Sequence, residues 1–338
     1  VLDRLLEEES LHIDGITGTS AGAMNAAMLV SGFAENKRDG AKKKLENFWR
    51  RISDTDAFSP LQKTPFDKMM TGWNMDTSPA YHWYDFMSRT FSPYELNPLN
   101  LNPMRYILDD LLDLETLHAH NTIKLFVAAT HVESGQARVF HCKEINADVL
   151  LASACIPFLF QAIEIEGGHY WDGGYMGNPA IWPLIYHCDS EDVILVQLNP
   201  ITNTRIPRTA GEIINRLNEI TFNSSLIAEM RAIDFVSKLI REGRLEHDRY
   251  KDVHMHLIYA STEMHELNAS SKMNTDWNFF LHLKEIGRNN ADLWIKENWA
   301  HVGEKSTLNI REKFLLGPGK FPETGDLAER KAKKYKKK

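Results

Sequence analysis

Ser20 lies at the centre of a G-x-S-x-G pattern whose glycines are Gly18 and Gly22. A short strand-like run, 13–17, precedes the serine, and a strongly helix-forming run, 21–30, follows it. A strand that turns sharply into a helix leaves little room around the serine, so glycine is expected two residues away on either side. Such a turn presents the hydroxyl at a helix N-terminus, where free N–H groups stabilise negative charge. The pattern therefore predicts a nucleophile that attacks an acyl carbon.

A second motif, Asp172-Gly173-Gly174, offers an acid partner for the serine. It follows a predicted β-hairpin over 161–171, whose turn contains two glycines. The two glycines after the aspartate permit a tight turn and a close approach of the backbone to the serine. An unperturbed aspartate, with a pKa of about 3.9, is a poor base at neutral pH, but burial would raise that pKa. We therefore expect Asp172 to accept the serine proton.

The two motifs, in this order, resemble the patatin-like phospholipases, which pair a G-x-S-x-G serine with the aspartate of a D-G-G or D-G-A motif. Two more stretches are similar to that family. Residues 152–158 resemble its A-S-x-A-x-P segment, and Asn178-Pro179 resembles the continuation after the aspartate. The resemblance covers residues 1–200. It implies a layered α/β fold with a central, mostly parallel sheet flanked by helices, and a Ser20–Asp172 dyad without histidine.

The resemblance also implies a reaction. Carboxylic esters of phospholipids or related lipids would be hydrolysed through an acyl-serine intermediate, as in a phospholipase A or lysophospholipase, without a cofactor. The backbone N–H of Ala21 would be one donor of the oxyanion hole. The family carries a glycine-rich loop before the elbow that supplies the other donors. No such loop precedes Ser20, and Val1 already lies in a helix-like run, so we expect the natural protein to begin earlier.

Three other interpretations stay open at this stage. A non-catalytic lipid-binding or scaffold protein would share the fold, and an acyltransferase would share the serine but pass the acyl group to an alcohol. An α/β-hydrolase would instead need a histidine base. Each candidate histidine, taken singly, is interpreted as structural or exposed. The four candidates near predicted strand ends are His131, His141, His169 and His187.

Composition sets further limits on the class of protein. The 338 residues suffice for one large domain or two smaller ones, and the net charge of −7 excludes nucleic-acid binding by overall electrostatics. No apolar run reaches the roughly 18 residues of a membrane span. Three cysteines without C-x-x-C spacing argue against a disulfide framework, which favours a cytoplasmic protein. No Cys or carboxylate cluster accompanies the His-x-His pairs, so no metal site is predicted. Oligomeric state is not indicated.

The chain divides into a predicted patatin-like catalytic domain, 1–200, and a mainly helical accessory region, 201–329, that packs on it. Helical spacing of apolar residues over 209–245 and 276–299 supports the second assignment.

Two segments invite a functional interpretation. Residues 64–103 are rich in aromatics, methionine and proline, which is typical of a lid or cap over a lipophilic site. A satellite core under a long connection would have the same composition. Seven of the nine residues of the tail 330–338 are cationic. That tail is either a peripheral contact with anionic membranes or a solvated terminus.

Overall fold

The computed structural model of the chain describes residues 1–55, 72–75, 78–198, 201–202, 206–246, 249–259, 267 and 269–317. In these ranges the strands are β1 Gly15–Gly18, β2 Lys124–His131, β3 Gln136–His141, β4 Ile163–Ile165, β5 Gly168–Asp172, β6 Asp192–Gln197 and β7 His254–Tyr259. The α-helices are α1 Leu2–Leu5, α2 Ala21–Thr55, α3 Pro79–Thr90, α4 Pro93–Leu96, α5 Pro103–Leu111, α6 Leu114–Ala119, α7 Ala147–Ser153, α8 Trp182–His187, α9 Ala210–Arg241 and α10 Trp277–Asn298. Short 3₁₀ turns lie at Cys142–Glu144, Gly173–Tyr175, Ala269–Met273 and Trp299–His301, and a π-helical turn lies at Arg311–Leu315.

Strand β2 is the centre of a five-stranded mixed sheet. It pairs in parallel with β1 and antiparallel with β3 and β5, and β4 continues the sheet beyond β5. The expected central sheet is therefore present, but the prediction that it is mostly parallel is only partly confirmed. Hairpins place β3 and β4 antiparallel to their neighbours, because a two- to four-residue turn cannot make a parallel crossover.

Two strands share one edge of β2, one after the other. Strand β1 pairs with residues 124–127 and ends with Gly18 opposite Val127. Strand β5 pairs with residues 129–131 and ends with Asp172 opposite Ala129. Because β1 runs parallel to β2 and β5 runs antiparallel to it, their C-terminal ends converge beside the middle of β2. The topology alone therefore brings the two sequence motifs together.

The predicted β4–β5 hairpin is confirmed, with its turn one residue earlier than the two glycines suggested. Ile165 pairs with Gly168, so the turn residues are Glu166 and Gly167. Both have positive φ, 53° and 82°, as a two-residue hairpin turn requires.

Helix α2 reverses direction at Asn36 and Lys37, whose backbone angles are not helical. The indole of Trp49 then donates a hydrogen bond back to the side chain of Asn25 at 2.9 Å. Residues 21–35 are the inner half of this helical hairpin. They carry most of its fully buried apolar side chains, in the main core against the central sheet.

A second apolar cluster forms around the parallel pair β6–β7 and the buried stripe of helix α9. The strands β6 and β7 lie on either side of the predicted boundary at residue 200, so the two predicted regions share this small sheet. The helices expected over 209–245 and 276–299 are present as α9 and α10. A capping box between Thr209 and Glu212 starts α9. None of the helices in the described ranges is long and apolar enough to cross a membrane.

Candidate active site

Ser20 occupies the sharp turn between β1 and α2, with its backbone in the left-handed region at φ 55°. A non-glycine residue there carries strain of about 1–3 kcal/mol, which is typical of functional turns. A Cβ at Gly18 would lie 2.3 Å from the carbonyl oxygen of Gly22, so glycine is required at Gly18. The matching argument for Gly22 is wrong, because nothing lies within 4 Å of a Cβ at that position. Gly22 instead leaves open space beside the serine.

Asp172 lies at the end of β5 and is only 2 % exposed. The side chain of Ser20 is near enough to act on the pKa of this carboxyl group. The N–H of Gly174 donates a hydrogen bond to Oδ1 at 2.7 Å. Burial raises the pKa of Asp172 to about 6, although the interactions with Gly174 and Ser20 lower it. The structure thus brings together the predicted serine and aspartate and makes the aspartate a stronger base than usual.

The glycines of the second motif have separate steric roles. A Cβ at Gly173 would lie 2.2 Å from the carbonyl oxygen of Ala128 on β2, so the chain passes the sheet too closely for a side chain. A Cβ at Gly174 would lie 2.9 Å from Oδ1 of Asp172. The two glycines therefore let the chain turn tightly around the carboxyl group.

The backbone of Asp172 is fixed on both sides. Its N–H donates to the carbonyl oxygen of Cys155 at 2.8 Å, and its own carbonyl accepts the hydroxyl of Thr130 at 2.8 Å. On the serine side, the N–H of Ser20 donates to the hydroxyl of Ser153 at 3.0 Å. The sequence alone assigned residues 152–158 no role beyond a resemblance. That A-S-x-A-x-P segment was the one signal that could have pointed to Ser153 and Cys155.

The loop after the aspartate is held by buried polar contacts. The hydroxyl of Thr19, next to the serine, donates to the carbonyl oxygen of Gly177 at 2.6 Å. The carboxylate of Glu229, on α9, accepts the N–H groups of Ile181 and Trp182 at 2.8 and 2.9 Å. Burial raises the pKa of Glu229 to about 7. Sequence patterning missed this residue, because a charged side chain in a helical pattern is expected to face solvent.

Ala21, the expected oxyanion donor, is exposed and is the first residue of α2. N–H groups in the first turn of a helix have no acceptor within the helix, so this N–H is available to a substrate.

The four candidate histidines have other partners. His131 and His169 both bind the carboxylate of Glu133, at 3.1 and 2.7 Å. The rings of His141 and His187 pack edge-on, with centroids 5.3 Å apart. Within the ranges that the structure covers, no hydrogen bond joins any of the four to Ser20. The same ranges contain no group of three or more His, Cys, Asp or Glu side chains placed to hold a metal ion.

The segment 64–103 reaches the neighbourhood of the site in its described part. The side-chain amide of Gln161 donates to the carbonyl oxygen of Asn97 at 2.7 Å, and the carbonyl of Gln161 lies 3.1 Å from the sulfur of Cys155. Cys155 in turn holds the backbone of Asp172. This contact is compatible with both the lid and the satellite core, so the lid stays a prediction.

Parts of two predicted features lie outside the described residues. These are residues 64–71 and 76–77 of the same segment, and the basic tail 330–338.

A scan against protein-family models matches residues 1–185 to the patatin-like phospholipase model, more than half of the 338 residues. The chain belongs to the patatin-like phospholipase family. The matched region includes both Ser20 and Asp172, and the resemblance drawn from their motifs is confirmed. Membership implies a lipid substrate and, at the level of the family, a lipid acyl hydrolase. A search of the curated proteins found no match.

Proposed function

We propose that this chain hydrolyses carboxylic esters of phospholipids or related lipids, with Ser20 as the nucleophile and Asp172 as the general base. The observation that carries the proposal is the placement of Ser20 beside the buried carboxyl group of Asp172, which burial has made more basic. A base acts best when its pKa lies near the working pH. With a pKa of about 6, Asp172 is mostly ionised at neutral pH and still accepts a proton readily.

The first half of the reaction transfers the acyl group to the serine. Asp172 accepts the hydroxyl proton while Oγ of Ser20 bonds to the ester carbonyl carbon, and the carbonyl π electrons move onto its oxygen. The N–H of Ala21 stabilises that oxyanion. When the carbonyl re-forms, the bond to the alcohol or lysolipid oxygen breaks, and the leaving oxygen takes the proton from Asp172.

The second half releases the fatty acid. Asp172 takes a proton from a water molecule as the water oxygen bonds to the acyl carbon. The resulting tetrahedral centre collapses, the bond to Oγ of Ser20 breaks, and the serine oxygen recovers the proton. The products are a carboxylic acid and the regenerated enzyme, which makes the cycle a net hydrolysis.

The proposal includes a phospholipase A or lysophospholipase type of substrate and peripheral contact with the membrane that holds it. A protein whose substrate is packed in a lipid surface must reach that surface. The seven cationic residues of the tail 330–338 support such contact, because each basic residue near an anionic membrane contributes about 1 kcal/mol.

A serine-reactive fluorophosphonate probe and a phospholipid hydrolysis assay test the proposal. We expect the wild type to be labelled at one site and to release fatty acid, and Ser20→Ala to do neither. Ser224→Ala is the matched control, because Ser224 is an exposed serine whose hydroxyl donates to the nearby carbonyl of Thr221 at 2.7 Å. It should keep both activities.

Each other outcome points to a different protein. Labelling that persists in Ser20→Ala would contradict the serine assignment. A wild type that takes no label and releases no fatty acid would favour the lipid-binding alternative. Acyl transfer to an added alcohol that outpaces release of fatty acid would favour the acyltransferase.

A further inference from the structure

One three-residue segment, Ser153–Cys155 at the end of α7, is bonded to the backbone of both residues of the candidate dyad. The hydroxyl of Ser153 accepts the N–H of Ser20 at 3.0 Å. The carbonyl oxygen of Cys155 accepts the N–H of Asp172 at 2.8 Å. The two residues belong to different strands, so this segment fixes their relative position.

The Ser153 hydroxyl also connects the serine to the centre of the sheet. It donates to the carbonyl oxygen of Ala128 at 2.7 Å while it accepts from Ser20. Ala128 lies on β2 between Val127 and Ala129, the residues at which β1 and β5 end. The Ser153 side chain is 0 % exposed, so water cannot replace either bond. An alanine there would leave both Ala128 and Ser20 without this partner.

The bond acts on a backbone that needs support. Ser20 has a φ of 55°, a conformation that persists only where the surroundings hold it. The N–H of Ser20 is directed to Ser153. The next N–H along the chain is that of Ala21, the first residue of α2. The direction of the Ser20 hydroxyl and the position of the oxyanion donor both follow from this arrangement.

We propose that Ser153 is a positioning residue for the reaction at Ser20, and that its hydroxyl holds the strained backbone so that Ser20 faces Asp172 and the N–H of Ala21 faces the substrate. The inference rests on the proposed function for its chemical meaning, but the backbone restraint can be measured without any substrate. Ser153 does not touch the reacting atoms and acts only through Ser20.

Kinetics of Ser153→Ala provide the first test. We expect kcat and the rate of fluorophosphonate labelling to fall together by about 10- to 100-fold, with KM changed by less than about twofold, because a small misplacement affects chemistry more than binding. Ser31→Ala is the matched control. Ser31 is also 0 % exposed and its alanine variant loses the hydrogen bond from Lys44 at 2.9 Å, but Ser31 lies away from the turn. It should keep wild-type kinetics.

A pair of variants with side chains of similar shape separates the effect of the Ser153 hydroxyl from the effect of packing. Ser153→Thr and Ser153→Val place side chains of nearly the same shape in the same cavity, and only threonine keeps the hydroxyl. We expect the threonine variant to be at least about tenfold faster in labelling than the valine variant. Equal rates in the two variants, with a normal rate in Ser153→Ala, would overturn the proposal.

Amide hydrogen exchange at Ser20, measured by NMR, tests the backbone restraint independently of hydrolase activity. The Ser20 amide should be protected in the wild type and lose protection at least about tenfold in Ser153→Ala, but not in Ser31→Ala. That loss in a protein without hydrolase activity would support the restraint and contradict the hydrolase. Unchanged protection of the Ser20 amide would overturn the restraint, whatever the activity.

Discussion

A hydroxyl group at the central sheet and another beside the two-stranded sheet each lie next to buried acid–base side chains. At the first, Ser20 lies beside Asp172. At the second, Nδ1 of His256 lies 2.9 Å from the hydroxyl of Thr307, and Nε2 lies 2.9 Å from Oδ1 of Asp192. A neutral histidine that carries its proton on Nε2 satisfies both bonds. The order hydroxyl, histidine, aspartate is that of a hydrolase triad.

Access and backbone conformation distinguish the two places. His256 is 0 % exposed, and the ring of Trp294 packs edge-on against it with centroids 5.8 Å apart. Asp192 is occupied further by the N–H of Gly303 at 2.9 Å. Ser20, by contrast, is partly exposed on a strained turn beside open space at Gly22. Residue types alone would therefore favour Thr307, His256 and Asp192 as the catalytic group. Their burial instead identifies them as a structural network that connects residues 301–307 to β6 and β7.

The largest expected difference between the two places comes from removing each acid charge. Asp172→Asn should reduce turnover by about 10³-fold or more, because the serine loses its base and the dyad acts as a unit. Asp192→Asn should leave turnover within about threefold and lower the free energy of unfolding by about 1–3 kcal/mol, since the charge-assisted bond to His256 is weakened. Initial rates on a phospholipid and denaturant unfolding measure the two effects.

A buried aspartate elsewhere controls for the loss of a charge. Asp252 is 9 % exposed and faces Arg241 at 3.4 Å, so Asp252→Asn should keep its activity. The comparison between the two places would fail if Asp192→Asn were as inactive as Asp172→Asn while still folded.

The rate should depend on pH through Asp172. Because burial raises its pKa to about 6 and the base must be ionised, kcat/KM should level off above pH 7. Below pH 6 it should fall about tenfold per pH unit. A profile of kcat/KM from pH 4 to 9 on a non-ionising ester gives the midpoint. His131→Gln should leave the midpoint in place, and a midpoint that moves with this variant would assign the titration to the histidine.

Stability should depend on pH with opposite signs at the two places. The folded-state pKa of Asp172 is raised, so between about pH 4 and pH 6 the folded protein binds more protons than the unfolded chain. Stability from this group therefore falls as pH rises through that window, by up to about 3 kcal/mol. Burial lowers the pKa of His256 despite its bond to Asp192. Its contribution is present above about pH 6.5 and is lost as pH falls.

Unfolding free energies at pH 4.5, 6 and 8 test these signs. Asp172→Asn should be more stable than the wild type at pH 8, and the difference should narrow to about a third of that value at pH 4.5. His256→Gln should show its smallest deficit at pH 4.5. A stability difference for Asp172→Asn that widens toward acid pH would contradict the raised pKa.

Local patterns in the sequence predicted much of the fold and the centre of the site. The alternation over 161–171 predicted the β4–β5 hairpin, and the G-x-S-x-G pattern predicted the turn at Ser20. These features depend on neighbours in sequence, such as the glycine at Gly18 and the positive φ at the hairpin turn. The identity of the family was predicted from the same two motifs.

Features that join distant residues were not predictable in this way. Gly32 and Gly40 flank the reversal of α2, and a Cβ at Gly32 would lie 2.4 Å from the carbonyl oxygen of Gly40. A glycine inside a helical pattern is tolerated, so these two residues did not predict the reversal at Asn36. The bonds from Ser153 and Cys155 depend on how α7 meets two strands, and a hydroxyl in an apolar helix has many partners available. The prediction of a mostly parallel sheet came from the family resemblance. The hairpins predicted from the sequence already required antiparallel pairs of strands.

The smallest expected effect concerns the histidines nearest the end of β2. His131 and His169 share the exposed carboxylate of Glu133, and surface ion pairs of this kind contribute at most about 1 kcal/mol to stability. His131→Gln and His169→Gln should therefore each keep turnover within about threefold of the wild type, measured with the same phospholipid. A fall in either variant approaching that of Asp172→Asn, in a protein that still unfolds at the normal temperature, would mean that a histidine serves as the base. Ser20 would then belong to a triad, and the contrast between the Ser20–Asp172 pair and the buried network around His256 would lose its basis.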